Sequence, residues 1–181
     1  MKLKISARPP DSCNPLTVLD HVWIDTCCID KRSSTELSES INAMFTFYKR
    51  AELCLIYLAD IAAGLNNDLT PSTWFTRGWT LQEMLAPKRS IFCNRDWKFI
   101  GHNADYINHS RIIRFGPSSS ESAAMVFSWA ADRETSREED VAYCLLGILD
   151  INMPLLYGEG GHAFRRLQME VLSEHGDDTV F

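Results

Sequence analysis

The segment Trp74-Phe75-Thr76-Arg77-Gly78-Trp79-Thr80-Leu81-Gln82-Glu83 gathers two indoles, a guanidinium, an amide and a carboxylate. On a helix, Trp79 and Glu83 stand four apart and share a face. A carboxylate pressed against an indole loses hydration, which disfavours its charged form and raises its pKa. Such a group suits proton transfer or stabilisation of a developing cation. The same residues also fit a structural role, with both Trp in the core and Glu83 paired with Arg77 or Lys88. Asp25, after Val22-Trp23-Ile24, and Asp60, after the apolar run 53–59, follow candidate strands. Open parallel sheets bind ligands at the carboxyl ends of their strands. Each aspartate equally fits a loop or a helix cap, and Asp30-Lys31-Arg32 fits a solvated turn.

Other reactive groups are dispersed. The six cysteines are Cys13, Cys27, Cys28, Cys54, Cys93 and Cys144. No Cys-x-x-Cys pair occurs and the histidines are scattered, so a structural zinc site is not expected. Cys27-Cys28 has no histidine nearby in sequence to act as a base, and the pair is expected to pack beneath a loop. Gly158-Glu159-Gly160-Gly161 precedes a helix and fits either an anion site or a plain turn. Arg165-Arg166 fits a solvated face.

These residues must be positioned by an α/β frame. Lys2–Ala7 alternates as a short strand would, and Arg8–Pro15 reads as loop. Val18–Asp25 reads as a buried strand. Ser33-x-x-Glu36 is a capping box opening a helix with Leu37, Ile41, Met44, Phe45 and Tyr48 on one stripe. The run 53–59 reads as a parallel strand buried on both faces, completing a βαβ unit. A loop over 60–73 follows. Trp74–Ala86 reads as a helix stopped by Pro87. Arg89–Cys93 and Trp97–Ile100 read as further strands, the latter as a hairpin arm. Asp105–Ile113 is weakly helical and Gly116–Ser120 a loop. Helices are expected over Ala123–Ala131, over Asp140–Leu149 behind a Ser136-x-x-Glu139 box, and over His162–His175.

The chain has 181 residues, about one domain's worth. Apolar residues make up 45% and charged residues 23%, an ordinary globular composition. The formal net charge of −6 argues against a nucleic-acid partner. No apolar h-region follows the N-terminus, and no run approaches the ~18 residues of a membrane span. A reduced cytoplasmic protein is expected.

Three blocks resemble those of the fungal heterokaryon-incompatibility (HET) domain. They are Val22-Trp23-Ile24-Asp25-Thr26-Cys27-Cys28-Ile29-Asp30-Lys31, Arg77-Gly78-Trp79-Thr80-Leu81-Gln82-Glu83, and a tail running from Arg133 to Asp140, Tyr143 to Ile148 and Met153 to Gly160. The resemblance covers residues 20–176, with an α/β part to about 100 and a helical part from about 101. It implies a role in programmed cell death after non-self recognition, a form of innate immunity. The family is in turn similar to Toll/interleukin-receptor (TIR) domains, which implies a flavodoxin-like parallel sheet flanked by helices. The resemblance to NAD-cleaving TIR domains implies Glu83 as the catalytic residue, with Asp25, Asp30, Arg77, Trp79 and Gln82 binding substrate. NAD would be the substrate, with no metal and no fixed cofactor. The implied partners are further copies of the chain and nucleotide-binding receptor-type incompatibility proteins.

One departure stands out. HET domains open with a block resembling Tyr-x-x-Leu-Ser-x-x-Trp-Gly, and none precedes Val18. Residues 1–19 therefore read as an atypical segment of an N-terminally truncated domain. Three functions stay open: an NAD-cleaving enzyme, a non-catalytic signalling module that self-associates, and an inactive remnant.

Overall fold

The computed structural model describes residues 21–62, 69, 71–102 and 122–180. The expected strand Lys2–Ala7, the loop Arg8–Pro15, the weak helix Asp105–Ile113 and the loop Gly116–Ser120 lie outside the described residues. The chain divides into two compact units, Met1–Ser40 and Ile41–Phe181.

In the first unit, the expected buried strand over Val18–Asp25 is not seen among the described residues. Residues 21–24 are extended without a ladder, and Val22 is 40% exposed. Asp25 instead opens a one-turn helix, α1 (Asp25–Cys28), closed by Cys28 N–H on Ile24 O at 2.8 Å. The high β propensity of Val-Trp-Ile needs a partner strand to take effect, and no described strand pairs there. Cys27 and Cys28 are exposed rather than packed beneath a loop. Ser33 caps helix α2 (Ser34–Arg50), its Oγ accepting from Glu36 N–H at 3.2 Å. The reciprocal half of the box differs: Glu36 Oε1 accepts from Asp30 N–H at 2.9 Å. Glu36 in the first turn and Lys49 and Arg50 in the last complement the helix dipole.

In the second unit, strands β1 (Cys54–Tyr57), β2 (Ser90–Cys93) and β3 (Phe99–His102) form a sheet in the order β1-β2-β3. β1 and β2 are parallel; β2 and β3 are antiparallel. The expectation that β1 is buried on both faces is corrected. Cys54 and Ile56 point inward, while Leu55 and Tyr57 are exposed. Asn94 closes the β2–β3 hairpin, its Oδ1 accepting from Asp96 N–H and Lys98 N–H at 3.0 Å each.

The crossover from β1 to β2 is not one helix. A 3-10 turn, η1 (Thr73–Thr76), is followed by extended Arg77 and then by α3 (Thr80–Leu85). The break has a cause distant in sequence. Gly78 N–H donates to Glu134 O at 2.8 Å, and Glu134 N–H donates to Thr76 O at 2.6 Å. A β-carbon on Gly78 would lie 2.5 Å from Thr135 Cγ2, so any larger residue there would have to push that side chain aside.

The helical part comprises α4 (Ala123–Ala130), α5 (Asp140–Tyr143), α6 (His162–His175) and a terminal 3-10 turn, η2 (Asp178–Val180). The helix expected over Asp140–Leu149 is α-helical for one turn only, and the chain goes on in tighter turns, with Leu145 N–H on Ala142 O and Ile148 N–H on Leu145 O at 3.0 Å each. The expected box does not form, because Glu139 is drawn elsewhere. Its Oε1 accepts from Gly158 N–H at 2.7 Å and Gly160 N–H at 3.0 Å, so it does not cap Ser136. The core holds Ile56, Leu58, Leu81, Phe92, Tyr143, Leu145, Leu146, Met153 and Leu167.

Candidate functional site

Glu83 sits mid-way along α3, and two side chains from other elements reach it. Trp74 Nε1–H donates to Oε2 at 3.1 Å, and the Tyr48 hydroxyl donates to Oε1 at 3.3 Å. The indole that donates to the carboxylate is thus Trp74, from η1. Trp79, in helical conformation at the N-cap of α3, keeps its place four residues before Glu83, while Trp74 reaches the carboxylate from the other side of the extended Arg77. Trp74 is buried, edge-on to Phe75 and Phe92. Cys54 lies close enough to feel the carboxylate: burial first, then the charge of Glu83, push its thiol up to about 12. That thiol is neutral at physiological pH and is no nucleophile.

The other residues of the block take different places. Gln82 is fully buried, and its Nε2 donates to Cys144 O at 2.7 Å. Expected to bind substrate, it sits instead in the core, joining α3 to the helical part. Its Oε1 has no partner among the described residues, nor has Nη2 of Arg133. Arg133 Nη1 donates to Arg77 O at 2.7 Å and to Thr80 Oγ1 at 3.0 Å. Burial lowers the Arg133 guanidinium to about 10. The Arg77 side chain is exposed and forms no ion pair with a described residue. Trp79 is half-buried at the N-cap of α3.

Asp25 and Asp30 belong to the first unit. Asp25 is half-buried in α1. Asp30 makes a paired contact with Arg32, Oδ1 to Nε and Oδ2 to Nη2, both at 3.0 Å. The Arg32 side chain holds the carboxyl below its ordinary range. Asp60 proves to be a cap. Its Oδ1 accepts from Ser72 Oγ–H at 2.7 Å, and its Oδ2 accepts from Thr73 N–H and Oγ1–H at 2.7 and 2.8 Å. Burial alone would raise its pKa, but the Ser72 and Thr73 bonds together outweigh it and lower the value.

The tail block forms a polar network that no reading of single motifs exposed. Tyr143, fully buried, donates to Glu159 Oε1 at 2.9 Å and accepts from Leu156 N–H at 2.8 Å. Arg166 Nη1 meets the same Glu159 oxygen at 2.6 Å and is part-buried, so it is not the solvated residue expected. Tyr157 donates to Asp140 Oδ1 at 3.0 Å, and the Arg137 guanidinium lies 4.4 Å over its ring. The Gly158 and Gly160 amides, in the segment that fitted either an anion site or a plain turn, serve Glu139. Only the acid-rich stretch Glu138-Glu139-Asp140 followed by Tyr157-Gly158-Glu159-Gly160 hinted at this pairing.

Among the described residues no cluster of three His, Cys, Asp or Glu could hold a metal ion. No helix among them is long and apolar enough to cross a membrane. The chemistry on offer at Glu83 is that of a carboxylate fixed by two side-chain donors, a group that can accept hydroxyl donors or face a developing cation.

Residues 15–68 match the family model described as heterokaryon incompatibility protein (HET). The chain is 41% identical, over 172 residues covering 85% of its length, to the vegetative incompatibility protein HET-E-1 of Podospora anserina. It spans 13% of that relative's length. No solved structure matches.

Proposed function

The chain is a heterokaryon-incompatibility (HET) domain protein, and from that premise we propose that it triggers cell death in the cytoplasm by hydrolysing NAD at the nicotinamide bond. The observation that carries this reading is the Glu83 carboxylate, held by Trp74 and Tyr48. Two fixed donors set its orientation before substrate arrives, which is what electrostatic stabilisation of a transition state needs.

In the proposed reaction Glu83 accepts from the hydroxyls of the nicotinamide ribose. The C–N bond breaks, its electron pair leaves with nicotinamide, and positive charge develops on the ribose. The carboxylate stabilises that charge, as carboxylates do in glycoside hydrolysis. Water adds to the ribose carbon and loses its proton to solvent, giving ADP-ribose. Arg77, exposed, would meet a phosphate, and Trp79 would pack against the substrate. Gln82 acts through α3 by tying it to Cys144. The parallel β1–β2 pair, with α3 in its crossover, supports a TIR-like arrangement.

A second reading rests on the outer sheet face. Leu55, Tyr57, Trp97 and Phe99 are exposed there, and the Tyr57 and Trp97 rings stack at 4.4 Å. Such a face suits self-association, or recruitment by a nucleotide-binding receptor-type protein.

Nicotinamide release by the purified chain, with Glu83→Gln alongside, tests the choice. Catalysis predicts release that falls about 100-fold or more in the variant, with thermal unfolding little changed. No release from folded protein rejects the enzymatic reading. Undiminished toxicity of Glu83→Gln in a fungal host would then favour association.

A further inference from the structure

Thr46, Lys49 and Arg50 near the end of α2, Ala51 and Glu52 on the way to β1, and Lys88 on the way to β2 line an open cleft of about 510 Å³. These residues directly precede β1 and β2, so the cleft lies at the amino-terminal edge of the parallel pair. Open α/β sheets usually bind ligands at the opposite edge. Glu83 does not line the cleft, so the two sites are separate.

The cleft is positively charged in a chain whose net charge is −6. Lys49, Arg50 and Lys88 form no ion pair with a described residue, whereas Glu52 is already engaged by Arg89 at 3.4 Å. The carbonyl end of α2 contributes only about half a negative charge. That offsets part of one cation and leaves roughly two without a counter-charge. The volume falls in the range of small-molecule sites. No aromatic or large aliphatic side chain lines it, so a nucleobase would find nothing to stack on. Two ammonium groups, a guanidinium and a hydroxyl instead match closely spaced phosphates.

We propose that this cleft binds a compact polyphosphate, with several phosphate groups carried on a small polyol or in a short chain. The ligand is either a free soluble molecule or the headgroup of a phosphoinositide lipid, and the recognition chemistry is the same for both. This assignment stands apart from the reading of Glu83.

Calorimetric titration of the full chain with inositol hexakisphosphate and with inorganic tripolyphosphate tests it. Sedimentation with phosphatidylcholine vesicles, with and without phosphatidylinositol bisphosphate, forms the lipid arm. Binding at one site per chain is expected, weakening steeply with salt. Lys49→Gln with Lys88→Gln should weaken it about tenfold or more, with the unfolding midpoint unchanged. Arg165→Gln, at an exposed cation on α6, should leave it unaltered. Should the double variant fold poorly, Lys88→Gln alone carries the comparison. Saturable binding of the soluble phosphates assigns a free ligand; binding to the phosphoinositide vesicles alone assigns the lipid. No saturable binding in either arm, or equal weakening by Arg165→Gln, overturns the proposal.

Discussion

Tyr48 and Glu83 are 35 residues apart in sequence, yet one hydroxyl–carboxylate bond joins them. Tyr48→Phe removes that bond and keeps the ring. Loss of one bond to a charged acceptor should cost ~1–2 kcal/mol in denaturant unfolding. If Glu83 is catalytic, nicotinamide release should fall by more than that stability loss explains, because the carboxylate loses a fixed orientation. A proportionate fall in both would make the bond merely structural. Gly147 offers a sharper case. A β-carbon there would lie 2.1 Å from Cβ of Phe45, an atom that cannot swing aside. Gly147→Ala should destabilise by ~1–3 kcal/mol or more, read from the denaturation midpoint. Glu83 stands out in the sequence because its neighbours in the block are such unusual company, but the donors that hold it do not. Trp74 reaches Glu83 from a 3-10 turn across the extended Arg77, whose bridge to Glu134 joins residues far apart in the chain.

Local chemistry predicts an element well where that chemistry decides its ends. Ser33 opens α2, and α6 runs over the expected His162–His175, ended by Gly176 in the left-handed conformation at φ 64°. Where a remote partner competes, the prediction fails. Glu139 leaves its expected box for the Gly158 and Gly160 amides. The same remote bonds set the pH response. Hydrogen bonds from its own backbone N–H, then from those of Gly160 and Gly158, lower the pKa of Glu139. Those from Ala123 and Thr179 lower that of Asp177, and Asp60 is lowered as well. A carboxylate whose folded pKa lies below its unfolded value adds stability above the unfolded value and loses it as pH falls through the folded one. Thermal midpoints should therefore change little, through these groups, between about pH 5 and 8, and should drop below about pH 4. Asp60→Asn should lower the midpoint at pH 7 and shrink the acid-induced drop. A variant that keeps the full drop would show that Asp60 contributes nothing to it.

At the scale of the molecule, the sequence reads as an α/β half followed by a helical half. That division describes composition better than it describes folding. Within the unit Ile41–Phe181, the two parts are joined at backbone level. Gly78 N–H meets Glu134 O, Gln82 meets Cys144 O, Arg133 meets Arg77 O, and Asn42 Nδ2 meets Met153 O at 3.3 Å. None of these pairings is readable from sequence, since each joins residues far apart in the chain and depends on where both backbones arrive. Cutting after His102 would strip all four at once. It would leave the Gln82 amide and the Gly78 N–H, both on buried residues, without these acceptors. Each buried polar group left unpaired costs ~1–3 kcal/mol, and a domain's whole stability is only ~5–15 kcal/mol. A chain ending at His102 should therefore fail to give a cooperative thermal transition. Limited proteolysis of the intact protein should likewise release no stable fragment of residues 1–100. Recovery of such a fragment with native-like circular dichroism would show that the sheet and α3 stand without the helical part, and that these four bonds only fasten one finished piece to another.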